Sequence, residues 1–287
     1  MTFSSSWRSP LDPQRVMEAR VVRWQDDTSA SNEEHLTVEE PFEVRLGHQS
    51  LAVIMRTPGH DIELALGFLL TEGIIQSDRD VLSVQNDYDA DGLPLENVVN
   101  ITLAHPAQEA AMQSHPATFE RHFAVSASCG LCGKNSIADL MVTVPSLEPD
   151  DISISAATCY ELSERLRVQQ SVFRYTGGLH AAGLFTHSGE LLLLREDIGR
   201  HNAVDKLVGH GLQEHMFPYR KHILMVSGRT SFEIIQKALL ARIPCVAAIS
   251  APSSMAVELA DKGGITLIGF LRNRSMNVYT HPERVVK

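Results

Sequence analysis

The chain has 287 residues, 44% of them hydrophobic, enough to bury a sizeable core as one large domain or two modest ones. A formal net charge of −10 excludes a chain-wide electrostatic affinity for nucleic acid or an anionic membrane, which both rest on a basic excess. The opening Met1-Thr-Phe-Ser-Ser-Ser-Trp7 lacks the basic start and apolar run of a signal peptide, no later run has the length of a membrane span, and four cysteines are too few for a disulfide scaffold, so the expected location is the cytoplasm.

Residues 1–35, ending in the polar run Asp26 to Glu34, lack apolar periodicity and read as a loose arm with one short strand near Val21 and Val22. Residues 36–125 read as a smaller α+β subdomain. Phe42 to Leu46 alternates as a half-buried strand, Gly47-His48 turns the chain, and Leu51 to Met55 returns as its hairpin partner. Thr57-Pro-Gly-His-Asp61 breaks the sheet; Ile62 to Leu70 then places apolar residues at helical spacing, and Gly73 closes the helix. Asn97 to Leu103 is a further strand. The loop His105 to His115 is polar, and its histidines read as solvated rather than as metal ligands.

Residues 126–136 set Cys129 and Cys132 between glycines and ahead of Lys134. Two thiols at this spacing can reach one another, ligate one metal or share a labile sulfur, and a nearby cation or N–H donor eases their ionisation. Structural zinc is the competing use of such a pair. The other two thiols do not complete a four-thiolate site: Cys159 shares an apolar helix face with Leu162 and Leu166 behind a Ser155 cap, and Cys245 lies in the buried-strand run Ile243 to Ile249. Zinc would have to recruit histidines.

Residues 137–287 read as α/β, with strands alternating with helices from Val172 onward. Phe173 to Phe185 runs through Gly177-Gly178 into a strand containing His180. Leu191 to Asp205 goes from strand through a charged turn into a helix. Ile223 to Glu233 repeats that plan, with Thr230 and Glu233 spaced as a capping box. Strand, Ser227-Gly-Arg229, then helix is a candidate anion cradle, because helix N-terminal N–H groups are unpaired and the arginine adds charge. Ser250 to Met255 opens a helix ending at Gly263-Gly264, Ile265 to Leu271 is a late strand, and Arg272 to Ser275 leads to a last strand at Asn277 to Tyr279.

A zinc deaminase requires His-x-Glu upstream of Pro-Cys-x-x-Cys. Here the only His-x-Glu is His281-Pro-Glu283, in the wrong order, and Ser128 precedes Cys129. A thioredoxin-like exchanger opens a helix with its pair in a small domain, whereas Gly130 and Gly133 favour a flexible mid-chain loop. Such a loop suits the handing of sulfur between large partners, because a persulfide must reach in two directions.

Taken in order, Thr57-Pro-Gly-His-Asp61, Ser128-Cys-Gly-Leu-Cys-Gly-Lys134, Thr176-Gly-Gly-Leu-His-Ala-Ala182, Glu196-Asp-Ile-Gly-Arg-His-Asn-Ala-Val-Asp-Lys206, Ser227-Gly-Arg229 and Gly269-Phe-Leu-Arg272 resemble the formate dehydrogenase accessory sulfurtransferase family, FdhD, from about Phe42 to the C-terminus. The resemblance implies a sulfurtransferase that accepts persulfide sulfur from a cysteine desulfurase and passes it to the molybdenum bis-guanine-dinucleotide cofactor before that cofactor enters formate dehydrogenase. It further implies a homodimer, a cytidine-deaminase-like α/β/α layered domain over residues 137–287, and no catalytic zinc.

Carried over by residue, the resemblance makes Cys129 the persulfide carrier and Cys132 its helper thiol. Phe270, Leu271, Arg272, Asn273, Arg274 and Ser275 match the cofactor-binding segment, with the aromatic ring stacking on guanine and Arg272 facing phosphate; Arg229, Arg200, His201 and His180 line the same pocket. His180 in an apolar strand reads equally as a satisfied core histidine. Two competing readings are a non-catalytic cofactor-binding chaperone for formate dehydrogenase and structural zinc at Cys129 and Cys132.

Overall fold

The computed structural model describes residues 12–47, 49–89, 91–105, 146–148 and 152–287. The chain begins with a ribbon of two antiparallel strands, β1 (Val16–Gln25) and β2 (Thr28–Thr37), turned at Asp26, whose φ is 52°. The strand expected near Val21 and Val22 lies within β1, while the rest of the expected loose arm over residues 1–35 is corrected; residues 1–11 lie outside the described residues. A hairpin ladder satisfies backbone groups whatever the polarity of the side chains, so the low apolar content of this segment did not betray it.

Next come β3 (Glu40–Leu46), β4 (Gln49–Arg56), α1 (Asp61–Thr71), β5 (Val81–Tyr88) and β6 (Pro94–Leu103), the four strands forming a sheet of order β4-β3-β6-β5. β3, β4, α1 and β6 fall where the apolar pattern places them. β5 was not anticipated, since most of its residues remain at least partly exposed and it shows no clean alternation.

The remaining elements are β7 (Ile154–Ser155), α2 (Ala156–Gln169), the single turn α3 (Phe173–Thr176), β8 (His180–Thr186), β9 (Leu191–Asp197), α4 (Arg200–Gln213), β10 (His222–Val226), α5 (Phe232–Leu240), β11 (Cys245–Ala248), α6 (Ser254–Gly263), β12 (Thr266–Arg272), β13 (Ser275–Thr280) and β14 (Val285–Val286). Six of these strands make a mixed sheet of order β13-β12-β11-β10-β8-β9, in which β10, β11 and β12 run parallel.

The period of two along each strand decides the layers. Ala182, Leu184, Leu224, Val226, Val246, Ala248 and Leu267 point to the face covered by α4, α5 and α6, while Ala181, Phe185, Ile223, Met225, Cys245, Ala247 and Ile268 point to the face covered by α2. Both sides of the strands are thus apolar, the pattern of a sheet covered on both faces. Fully burying a leucine such as Leu224 or Leu267 contributes roughly 2 kcal/mol. The α+β part is not packed separately: Phe42, Leu64, Ile101, Leu207 and Leu239 belong to one continuous core.

That continuity depends on a close crossing of α1 and α4. A Cβ on Gly67 would lie 1.8 Å from the Asp205 carbonyl oxygen, and one on Gly209 would lie 1.8 Å from that of Glu63. Only glycine fits at both points.

The capping expectation for α5 is corrected. Its N-cap is Ser231, without a side-chain cap bond. Thr230 is drawn into a parallel bridge with Pro252, its N–H donating to Ala251 O at 3.2 Å and its carbonyl accepting from Ser253 N at 3.0 Å. For α2 the expected serine cap holds, Ser155 Oγ accepting from Thr158 N at 3.0 Å, and α6 is capped in the same way by Ser253, whose Oγ accepts from Ala256 N at 3.2 Å.

Candidate functional site

Antiparallel pairing brings the first residue of β8 to the same sheet end as the last residues of β9 and β10, so His180 sits opposite Asp197 and Ala182 opposite Val226. β11 and β12 run parallel to β10 and finish at that end too. The turns after the strands then gather there, carrying Arg200, His201, Arg229 and the segment from Phe270 to Ser275. Open α/β sheets bind ligands outside the C-terminal ends of their strands. A separate cavity of about 460 Å³ lies at the opposite end, among Leu70, Phe217, Leu240 and Pro244, and contains none of the predicted site residues.

The first part of the site is a notch between the N-termini of α4 and α5. Their caps, Gly199 and Ser231, make no side-chain cap bond, and both positive dipole ends meet here, that of α5 already faced by the Glu233 carboxylate, which accepts from its own N–H. The two ends touch: His201 Nε2 lies 3.3 Å from Ser231 Oγ and 3.6 Å from Glu233 Oε2. Burial raises the Glu233 pKa, but hydrogen bonds from His201 and Ser231 outweigh it and bring the value down to about 2, so the carboxylate is charged. His201 is therefore buried and held by Glu233 rather than lining an open pocket.

His180 behaves differently. Its ring makes no hydrogen bond among the described residues. Burial, followed by the charges of Arg200 and His201, lowers its pKa against the opposing pull of Asp197. The ring is neutral at pH 7 and retains an acceptor nitrogen. Gly228 makes room for it, since a Cβ there would lie 3.2 Å from His180 Nδ1 and 3.9 Å from Arg200 Cδ. Arg200 Nε and Thr230 Oγ1 are buried without a partner among the described residues, and Arg229 is exposed. An orphaned guanidinium N–H beside two helix N-termini has the chemistry of an anion site.

The second part is the β12–β13 hairpin. Arg272 pairs with Ser275, and the two residues between them, Asn273 and Arg274, have φ of 49° and 55°. Left-handed conformation at both central positions is the type I′ turn, which favours glycine where Arg274 stands. Phe270 is left-handed as well, with φ 52°, at a register shift in β12; its N–H donates to Ser250 O at 3.1 Å. Each such residue costs about 1–3 kcal/mol and persists where the surroundings over-determine it.

These conformations present Phe270, 36% exposed, with the Arg272 guanidinium 5.9 Å from its ring centroid. Arg274 reaches back over Tyr160 of α2, 5.4 Å from that centroid. Asn273 and Ser275 are exposed, whereas Leu271 is buried in the core on the α2 face and offers only its backbone to a ligand.

Beneath the notch lies a polar network that the sequence reading missed. Lys206 Nζ meets Asp197 Oδ2 at 2.7 Å, with both side chains fully buried, and donates to Thr57 O at 2.8 Å. Asp197 also accepts from Gly199 N, Asn202 Nδ2 and Thr57 N at 2.8, 2.9 and 3.2 Å. Between α4 and α5, Lys237 Nζ meets both Asp205 oxygens at 2.8 and 2.9 Å, and Thr71 Oγ1 donates to Asp205 at 2.7 Å. The signal was present in adjacent opposite charges, Asp205-Lys206, set between the apolar pairs Ala203-Val204 and Leu207-Val208.

Cys129 and Cys132 lie outside the described residues, as do residues 106–115 of the predicted histidine loop. The other two thiols are buried. Burial pushes the Cys159 pKa up to about 11 and that of Cys245 higher still, so neither supplies a thiolate. Among the described residues no cluster of three or more His, Cys, Asp or Glu side chains is placed to hold a metal, and no helix is long and apolar enough to cross a membrane.

The profile of the FdhD/NarQ family matches residues 37–286. The sulfur carrier protein FdhD of Streptomyces coelicolor is 46% identical over 276 residues, covering 94% of this chain and 96% of its own length. That of Sulfolobus acidocaldarius is 41% identical over 271 residues, covering 94% and 99%. A crystal structure described as a putative formate dehydrogenase accessory protein from Desulfotalea psychrophila superposes with a TM-score of 0.73 over 95% of this chain and 100% of that one, at 20% identity, a likeness of fold. With a profile match from the third strand to the last and near full-length relatives above 40% identity, the chain belongs to the FdhD/NarQ family.

Proposed function

We propose that this chain is a sulfur carrier in formate dehydrogenase maturation, which takes sulfane sulfur from a cysteine desulfurase onto Cys129 and passes it to the molybdenum bis-guanine-dinucleotide cofactor. The Cys129 thiolate attacks the terminal sulfur of the donor persulfide; one S–S bond forms as the other breaks, the donor thiolate leaves, and no external oxidant is needed. Cys132 is its helper. The cofactor is the substrate, held by guanine stacking on Phe270 and by its phosphates against Arg272, Arg229 and the Arg200 notch. The same reading makes the protein a homodimer and takes the helix–sheet–helix layering as cytidine-deaminase-like.

One observation carries the cofactor half of this reading: an exposed aromatic ring and an orphaned arginine N–H stand at the same end of one sheet, in a chain that is acidic as a whole. The sulfur half is supported by the relatives' common name and by the burial of Cys159 and Cys245, which leaves Cys129 and Cys132 as the remaining thiols.

Intact mass spectrometry after incubation with a cysteine desulfurase and cysteine tests it. The expected result is a sulfur-sized increase that reductant reverses and Cys129→Ala abolishes. No increase under conditions that load a known acceptor, together with retained cofactor binding, would make the protein a cofactor chaperone instead.

A further inference from the structure

We infer that Tyr160, on α2, is a positioning residue for the cofactor-binding hairpin: its ring holds Arg274 in a left-handed turn and thereby sets Phe270 and Arg272 toward the ligand. The inference rests on the reading that this hairpin binds the guanine end of the cofactor.

Arg274 occupies the turn position that glycine fills most readily, with φ 55°, and arginine has no local hydrogen bond that would favour this conformation. Something outside the turn must hold it. Its guanidinium lies over the Tyr160 ring at 5.4 Å, a cation–π contact that the described residues supply from a separate helix. That helix is a firm base, capped by Ser155 and seated through Cys159, Leu162 and Leu166 in the core under β12. Tyr160 itself is half-buried and packs on the same core. Arg274 is two residues beyond Arg272, whose guanidinium covers Phe270, so the turn and the stacking ring are coupled through one short hairpin.

The phenol hydroxyl plays no part in this contact, which gives the test its control. Titration of the full-length protein with GDP, as a probe of the guanine and phosphate end, compares wild type, Phe270→Ala, Tyr160→Leu, Tyr160→Phe, Arg274→Ala and the double variant Tyr160→Leu/Arg274→Ala. Tyr160→Leu is expected to weaken GDP binding about threefold to tenfold, the size of one half-buried cation–π contact, with only a small drop in the thermal midpoint because leucine still packs on the core. Tyr160→Phe keeps wild-type affinity, and the double variant is no weaker than the worse single one, because residues acting through one contact are not additive.

Loss of affinity in Phe270→Ala with wild-type affinity in Tyr160→Leu, or with fully additive losses in the double variant, overturns the role of Tyr160 while leaving the hairpin as the binding site. Unchanged affinity in Phe270→Ala, or no GDP binding by wild type, removes the hairpin reading and the inference with it.

Discussion

Helix α4 carries two polar clusters of opposite character. Along its body, Asp197 with Lys206 and Asp205 with Lys237 are buried and saturated: each carboxylate accepts several donors, and both lysines find a carboxylate and a further oxygen. At its N-terminus, among the described residues, Arg200 Nε is buried with no partner and the His180 ring makes no hydrogen bond, while His201 is matched with Glu233. Buried polar groups are normally satisfied, so saturation marks a structural network, while the Arg200 orphan is what the proposed cofactor site draws on. The Thr57-Pro-Gly-His-Asp61 motif falls on the saturated side. Thr57 ties to Asp197, Ile198 and Lys206, and Asp61 accepts two bonds of 2.9 Å from Arg56.

The sharpest way to break this contrast is Lys206→Met, which leaves Asp197 buried without its cation. Removing one partner of a buried pair costs about 3–5 kcal/mol. Urea unfolding is expected to show a loss of that size; a loss under ~1 kcal/mol would mean that the Asp197 network does not hold the notch in place.

Arg200→Ala probes the other cluster. Stability stays within about 0.5 kcal/mol of wild type, since nothing among the described residues bonds to the guanidinium Nε. Affinity for GDP falls about tenfold, the worth of one charged hydrogen bond. A destabilised protein with wild-type affinity would place Arg200 among the structural residues.

The smallest effect is the acid response of the matched pair. Glu233 and Glu63 have folded pKa values of about 2 against 4.5 unperturbed, so the stability they contribute is present above about pH 4.5 and is lost as pH falls through about 2. For Glu63, burial opposes the shift, and hydrogen bonds from Arg195 and His60 override it. Glu233→Gln is expected to flatten part of the acid limb in a stability-against-pH series. An unchanged limb would show that the His201 contact contributes nothing to folding.

Legibility followed the kind of interaction. β3, β4, α1, α2, α4, α6, β10, β11 and β12 were readable because each buries a periodic apolar face, and periodicity is a local signal. Of the β1–β2 ribbon only the short strand near Val21 and Val22 was readable, because a ladder satisfies backbone groups and asks little of its side chains. The α5 cap was misplaced because Thr230 bonds to Ala251 and Ser253, residues no local pattern connects to it. Leu271 and His201 were readable as members of motifs, but only packing reveals that one faces the core and the other is clamped by Glu233.

The sequence by itself determined the family, the alternation of strands and helices, and the separation of two packing cysteines from a pair between glycines, because motif order, apolar period and residue spacing are properties of the chain alone. Only the tertiary structure decided which polar residues are saturated and which have no partner among the described residues. Whether a buried N–H or carboxylate has a partner depends on groups brought together from distant strands and helices, such as Thr57 with Asp197 and Tyr160 with Arg274.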